Sequence, residues 1–162
     1  MDLAHHQEQS KFKRKENEQF FKRLKKVKPK VLDKLIHPLH EMVFKTTNCL
    51  ECANCCKTTG PLFTDKDISR IAKHLSLKPS EFTEKYLRID EDKDYVLKSV
   101  PCVFLAKDNH CSIYEVKPKA CREFPHTNRE KQYQLLNLTE KNVEVCPAVY
   151  DIVEKLKKEL IK

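Results

Sequence analysis

The sequence predicts a mainly α fold with one small β-hairpin, an α+β class in which a cysteine-rich domain follows an N-terminal helical arm. Three observations predict it. Apolar residues recur at three- and four-residue steps near both ends of the chain, the period of a helix with one buried face. Short β-branched and aromatic runs fall between residues 95 and 116. Eight cysteines lie in between or nearby, at 49, 52, 55, 56, 102, 111, 121 and 146. The 162 residues suit one domain with an extension, and the expected division is a basic helical arm over 1–44 and a compact cysteine-cluster domain over 45–162.

The elements follow in order. In the arm, Phe12, Phe20, Phe21, Leu24, Val27, Val31, Leu32, Leu35, Ile36, Leu39 and Val43 form an apolar stripe, and Pro29 and Pro38 kink or divide the helix. Gly60-Pro61 marks a turn. Thr64 is placed to cap a helix whose first turn holds Asp65 and Asp67, with Ile68, Ile71, Ala72 and Leu75 inward. Pro79 suits the first position of a second helix that turns Phe82, Tyr86 and Leu87 inward. Tyr95–Val100 reads as a strand leading to a hairpin, with arms Cys102–Leu105 and Cys111–Tyr114 around the turn Lys107-Asp-Asn-His110. Pro118 and Pro125 bracket a rigid connector that holds Cys121. A short helix is expected over 129–138. Cys146-Pro147 opens the last helix, with Val149, Ile152, Val153, Leu156 and Leu160 on its apolar face and Cys146 at its N-cap, where the helix dipole favours thiolate.

The run Cys49-Leu-Glu-Cys52-Ala-Asn-Cys55-Cys56 carries the chemistry. Thiolates are the preferred ligands of zinc, copper(I) and iron–sulfur clusters, and a C-x2-C step brings two sulfurs to one metal. Disulfides are the first rival. Met1–Ser10 holds no apolar stretch for export, so the chain is expected in the cytoplasm, where structural disulfides are rare. Adjacent Cys55 and Cys56 also cannot pair without strain. Core cysteines are the second rival, and four in eight residues is not how cores are filled. The expected metal ligands are therefore Cys49, Cys52, Cys55, Cys56, Cys102, Cys111, Cys121 and Cys146.

Composition excludes other chemistries. The single glycine, Gly60, leaves no Rossmann fingerprint, P-loop or nucleophile elbow, and no C-x3-C-x2-C run is present. No apolar run reaches the length of a membrane span. The net charge is +8, and 35% of residues are charged. Residues 1–34 hold eleven of the 32 Lys and Arg but five of the 24 acids, so the basic character belongs to the arm. A solvated lysine face is the plain reading of that arm, and nucleic acid, an acidic partner or an anionic membrane surface the lesser ones. No Ser/His/Asp set or carboxylate pair stands out. His37 and His40, three apart on a helix, read as a solvated pair.

These residues resemble the YkgJ-type cysteine-cluster proteins, whose CxxCxxCC domain is described as zinc- or iron-chelating. The resemblance runs through Cys49-x2-Cys52-x2-Cys55-Cys56, Pro101-Cys102-x-Phe104-Leu105, Cys111-x-Ile113-Tyr114, Pro118-x2-Cys121-Arg122-x-Phe124-Pro125 and Cys146-Pro147, about residues 45–150. Lys117 stands where the family often has Arg, which keeps the charge and loses the planar fork. The family includes larger proteins that methylate flagellin lysines. This chain has no recognisable methyl-donor site, and that activity is not carried over.

The metal stays open between an iron–sulfur cluster and zinc. Three clustered cysteines with a remote Cys-Pro resemble a bacterial ferredoxin arrangement. Eight thiolates also divide into two zinc sites of four, and Cys55 or Cys56 is a spare thiol if its neighbour ligates. Lys57, Lys117, Lys119 and above all Arg122 are expected to offset thiolate charge. Three functions remain: electron transfer or iron handling with a redox or other protein partner, a zinc-stapled interaction module, or a cluster-bearing subunit of a modifying enzyme.

Overall fold

A computed structural model describes residues 2–160. It is mainly helical with a small three-stranded antiparallel sheet, and its contacts divide the chain into two units, residues 1–52 with 125–162 and residues 53–124.

The first unit is helical. Helices α1 (Leu3–Phe12), α2 (Arg14–Leu24) and α3 (Pro29–Phe44) come from the arm. Pro29 starts α3, where its missing N–H costs nothing, whereas α3 runs on through Pro38. After the short α4 (Cys49–Cys52), the chain returns to this unit at Pro125 and adds α9 (Leu136–Val145) and α10 (Pro147–Leu160). Phe20, Phe21, Leu24, Leu32, Ile36, Leu39 and Val43 meet Val143, Val149, Ile152, Val153 and Leu156 in one core. Phe12, expected on the stripe of the arm, is 83% exposed, and Val31 and Leu160 are partly exposed. Lys157 is buried with Glu16 and Glu154 on its ammonium, both at 2.6 Å.

Helix α3 also organises the segment after Pro125. Asp33 accepts the N–H groups of Lys131 and Gln132, both at 2.8 Å. His37 Nε2 lies 2.8 Å from Arg129 O. Buried His40 meets Thr127 Oγ1 at 2.7 Å and stacks on Phe44. These histidines are tethers rather than a solvated pair. The helix expected over 129–138 is a 3-10 turn, Gln132–Gln134, followed by α9, because Lys131 adopts a left-handed φ of 62° and restarts the chain.

The second unit opens with α5 (Asn54–Thr58) and continues through β1 (Leu62–Phe63), α6 (Asp65–His74), α7 (Pro79–Tyr86), β2 (Leu87–Ile89), β3 (Tyr95–Leu97) and α8 (Lys119–Glu123). Thr64 caps α6 in a reciprocal box with Asp67, and Pro79 occupies the first turn of α7. The sheet order is β1-β3-β2, all antiparallel. Phe63, Ile68, Ile71, Ala72, Phe82, Leu87, Leu97, Phe104 and Ile113 form the core, with Phe82 stacked on Phe104 at 6.2 Å between ring centroids. The hairpin of the sheet is β2–β3. The arms expected at 102–105 and 111–114 do meet, in one antiparallel bridge, Leu105 to Cys111, with Ser112 N–H on Phe104 O at 2.9 Å and Ala106 N–H on His110 O at 2.8 Å, and a 3-10 turn at Tyr114–Val116 ends the pairing.

Candidate metal centre

Each cysteine is placed by a short local device. Cys49 and Cys52 are the two ends of α4, and Asn48 Oδ1 accepts Leu50 N–H in its first turn at 3.1 Å. Ala53 then takes a left-handed conformation, φ 46° and ψ 18°, and breaks the run before α5, which carries Cys55 and Cys56. The Cys55 and Cys56 sulfurs are 4.0 Å apart.

Cys102 donates its backbone N–H to Cys56 O at 2.8 Å. Leu105 N–H bonds back to Cys102 O at 3.0 Å, and Leu105 bridges Cys111. One hydrogen-bonded path thus leads from the CxxCxxCC run to two downstream cysteines, both packed on the core of the second unit. Cys121 lies on α8. Its approach is fixed by Asp67, which accepts Lys119 N–H at 3.1 Å, and by Arg70, whose Nη2 reaches Lys117 O at 3.0 Å. Cys146 separates α9 from α10 and packs on the core of the first unit. Tyr150 N–H bonds to Cys146 O at 3.0 Å.

Electrostatics sort these thiols. Cys56 is pushed down to about 7, chiefly by its hydrogen bond with Cys55; burial opposes this, and Lys117 and Lys57 add to the lowering. Burial raises Cys102 and Cys111, and pushes Cys121 up to about 12, with the charges of Cys56, Cys102 and Cys111 adding to the rise at Cys121. Burial also pushes Cys146 up to about 11. The N–H groups of Val149 and Ala148 act on it in the expected lowering direction, but burial outweighs them. Cys146 sits at the helix start as expected, but burial opposes the lowering expected there.

The cations that bear on the thiols are Lys117 and, at Cys56, Lys57, rather than Arg122. Lys117 acts on Cys56, Cys111 and Cys121 while lying 3.7 Å over the Tyr114 ring. Arg122 is exposed and donates to Lys117 O at 2.9 Å, and Lys119 pairs with Glu123 at 3.6 Å. The Asp67–Arg70 clamp went unseen in the sequence. Its only local trace is the i,i+3 spacing of acid and arginine after the Thr64 cap.

Among the described residues, no three His, Cys, Asp or Glu side chains already stand in a metal-gripping arrangement. The donor chemistry nevertheless fits zinc or iron. The sulfurs are soft ligands, all but Cys49 half-buried, and on the second unit a lysine bears on three of them.

Residues 48–147 match the family CxxCxxCC, described as "Putative zinc- or iron-chelating domain". The match covers more than half of the chain, which belongs to this family. No solved structure matches the chain. Among the described residues, no helix is long and apolar enough to cross a membrane.

Proposed function

We propose that this protein holds zinc or iron on its cysteine thiolates and, with iron or an iron–sulfur cluster, serves electron transfer or iron handling with a protein partner. The observation that supports this best is the hydrogen bond from Cys102 N–H to Cys56 O, 2.8 Å, which sets a remote cysteine beside the CxxCxxCC run. Ligation replaces the thiol protons, so binding carries folding free energy and releases protons. Elemental analysis and visible absorbance of anaerobically purified protein test the reading. Iron with broad visible absorbance supports electron transfer or iron handling, and protein without metal, whose unfolding a chelator leaves unchanged, overturns metal binding altogether.

A second reading has its own support. The stretch 98–118 that carries Cys102 and Cys111 has one β-bridge and one 3-10 turn as its regular structure. A segment so poor in regular secondary structure gains order from a metal staple. Stoichiometric zinc in a colourless protein favours this interaction module, and the role of a cluster-bearing enzyme subunit needs a substrate that neither reading supplies.

A further inference from the structure

The cysteines divide with the fold. Cys49, Cys52 and Cys146 belong to the unit of residues 1–52 and 125–162, and Cys55, Cys56, Cys102, Cys111 and Cys121 to that of residues 53–124. Two observations follow the same division. The backbone turns at Ala53, between the two halves of the run, with a left-handed φ of 46°. A residue with a Cβ loses roughly 1–2 kcal/mol there, so the turn is imposed by its surroundings, in which Ala53 is buried. Packing agrees: Cys102 and Cys111 lie against the core of Phe63, Phe82 and Phe104, whereas Cys146 lies against that of Phe21, Val149 and Ile152.

We infer that the chain builds two thiolate centres for zinc or ferrous iron, a four-cysteine centre of Cys56, Cys102, Cys111 and Cys121, and a second to which Cys49, Cys52 and Cys146 bring three ligands. The inference rests on the metal-binding reading above and adds the ligand sets. Cys56 rather than Cys55 is assigned to the first set because Cys102 donates its N–H to Cys56 O; the Cys55 sulfur stands 4.0 Å from that of Cys56. The two sets differ in chemistry. Four thiolates complete a tetrahedral site of the structural kind, whereas three leave one position for a further ligand, the arrangement of a centre that exchanges or reacts.

Metal bound to thiolate blocks alkylation, so the zinc-loaded full chain reports its own ligand sets. Wild type, Cys121→Ser and Cys146→Ser are loaded with zinc anaerobically, treated with iodoacetamide, and each cysteine is followed by peptide mass. Expected in Cys121→Ser is alkylation of Cys56, Cys102 and Cys111 at least about tenfold faster than in wild type, with Cys49, Cys52 and Cys146 still protected. Cys146→Ser should give the mirror result. Retained protection of the other set also shows that its unit is folded, so either variant alone supports the division. Exposure of both sets by both substitutions, or exposure of Cys56 together with Cys49 and Cys52, overturns it. Zinc that protects no cysteine in the wild type overturns the metal-binding reading itself, and the division with it.

Discussion

Asp67 Oδ1 accepts the backbone N–H of Lys119 at 3.1 Å, joining the first turn of α6 to the segment that carries Cys121. The same carboxylate accepts Thr64 N–H at 3.0 Å and Thr64 Oγ1 at 2.7 Å, and takes Arg70 Nη2 at 2.6 Å. Arg70 in turn holds Lys117 O. One side chain, 1% exposed, therefore sets both the helix cap and the path to a candidate ligand. Asp67→Asn keeps the shape but removes the charge and points an amide donor at other donors. It should cost about 2–3 kcal/mol, read as a lower urea midpoint of the zinc-loaded chain. A loss below about 0.5 kcal/mol would show that the clamp is dispensable.

The same residue gives a pH dependence. Burial alone would raise the Asp67 carboxyl, but the hydrogen bonds from Thr64, Arg70 and Lys119 outweigh it and hold the group below 3.8. A lowered folded value means that its stabilisation is fully present above 3.8 and is lost as pH falls through that value towards the folded one. The advantage of wild type over Asp67→Asn should therefore be flat from neutral pH down to about 5 and shrink below about 4. An advantage that already fades between pH 7 and 6 would point to a different group.

In the N-terminal helices, Phe21 is fully buried in the core of the first unit, while Phe12 lies in solvent. Phe21→Ala should cost about 3–5 kcal/mol through lost transfer energy and the cavity left behind. Phe12→Ala should stay within about 0.5 kcal/mol. Equal effects in denaturant unfolding would contradict this core.

What the sequence made legible was local. Thr64 as a cap, Pro79 in a first turn and Cys146-Pro147 at a helix start are set by residues within one turn of each other, and each is found as expected. The stripe of the arm was legible through its period but not at its ends, where the short α1 turns Phe12 outward. Strands β1 and β2 have two and three residues and exist through pairing with β3, which no local pattern announces. At 102–114 the expected arms do meet around the turn, but in one antiparallel bridge, while Phe104 and Ile113 turn to the core of the second unit and Val103 and Tyr114 to solvent. At the site, the cysteines were visible as a set, and the family match over residues 48–147 agrees with their span. Their environment was not visible. The thiol of Cys146 is governed by burial that the N-cap position alone does not reveal.

Lys117 and Arg122 divide roles that neighbouring cations could share. The Lys117 ammonium acts on Cys56, Cys111 and Cys121 from over the Tyr114 ring. Arg122 instead spends a donor on Lys117 O, at 2.9 Å, and so supports the backbone beneath that lysine. Four thiolates on a divalent metal carry a formal charge of about −2, so a cation beside them favours the loaded state. Lys117→Met keeps most of the aliphatic stem and removes the charge. It should weaken zinc binding about tenfold, close to 1.4 kcal/mol, measured by competition with a chromophoric chelator. Because the effect is electrostatic at a half-buried site, raising salt should narrow the gap between Lys117→Met and wild type. Arg122→Met should leave zinc affinity within about twofold and lower stability by about 1 kcal/mol through the lost backbone bond. If Arg122→Met weakens zinc binding as much as Lys117→Met does, the charge at the site is shared, and the division of labour between these two residues is wrong.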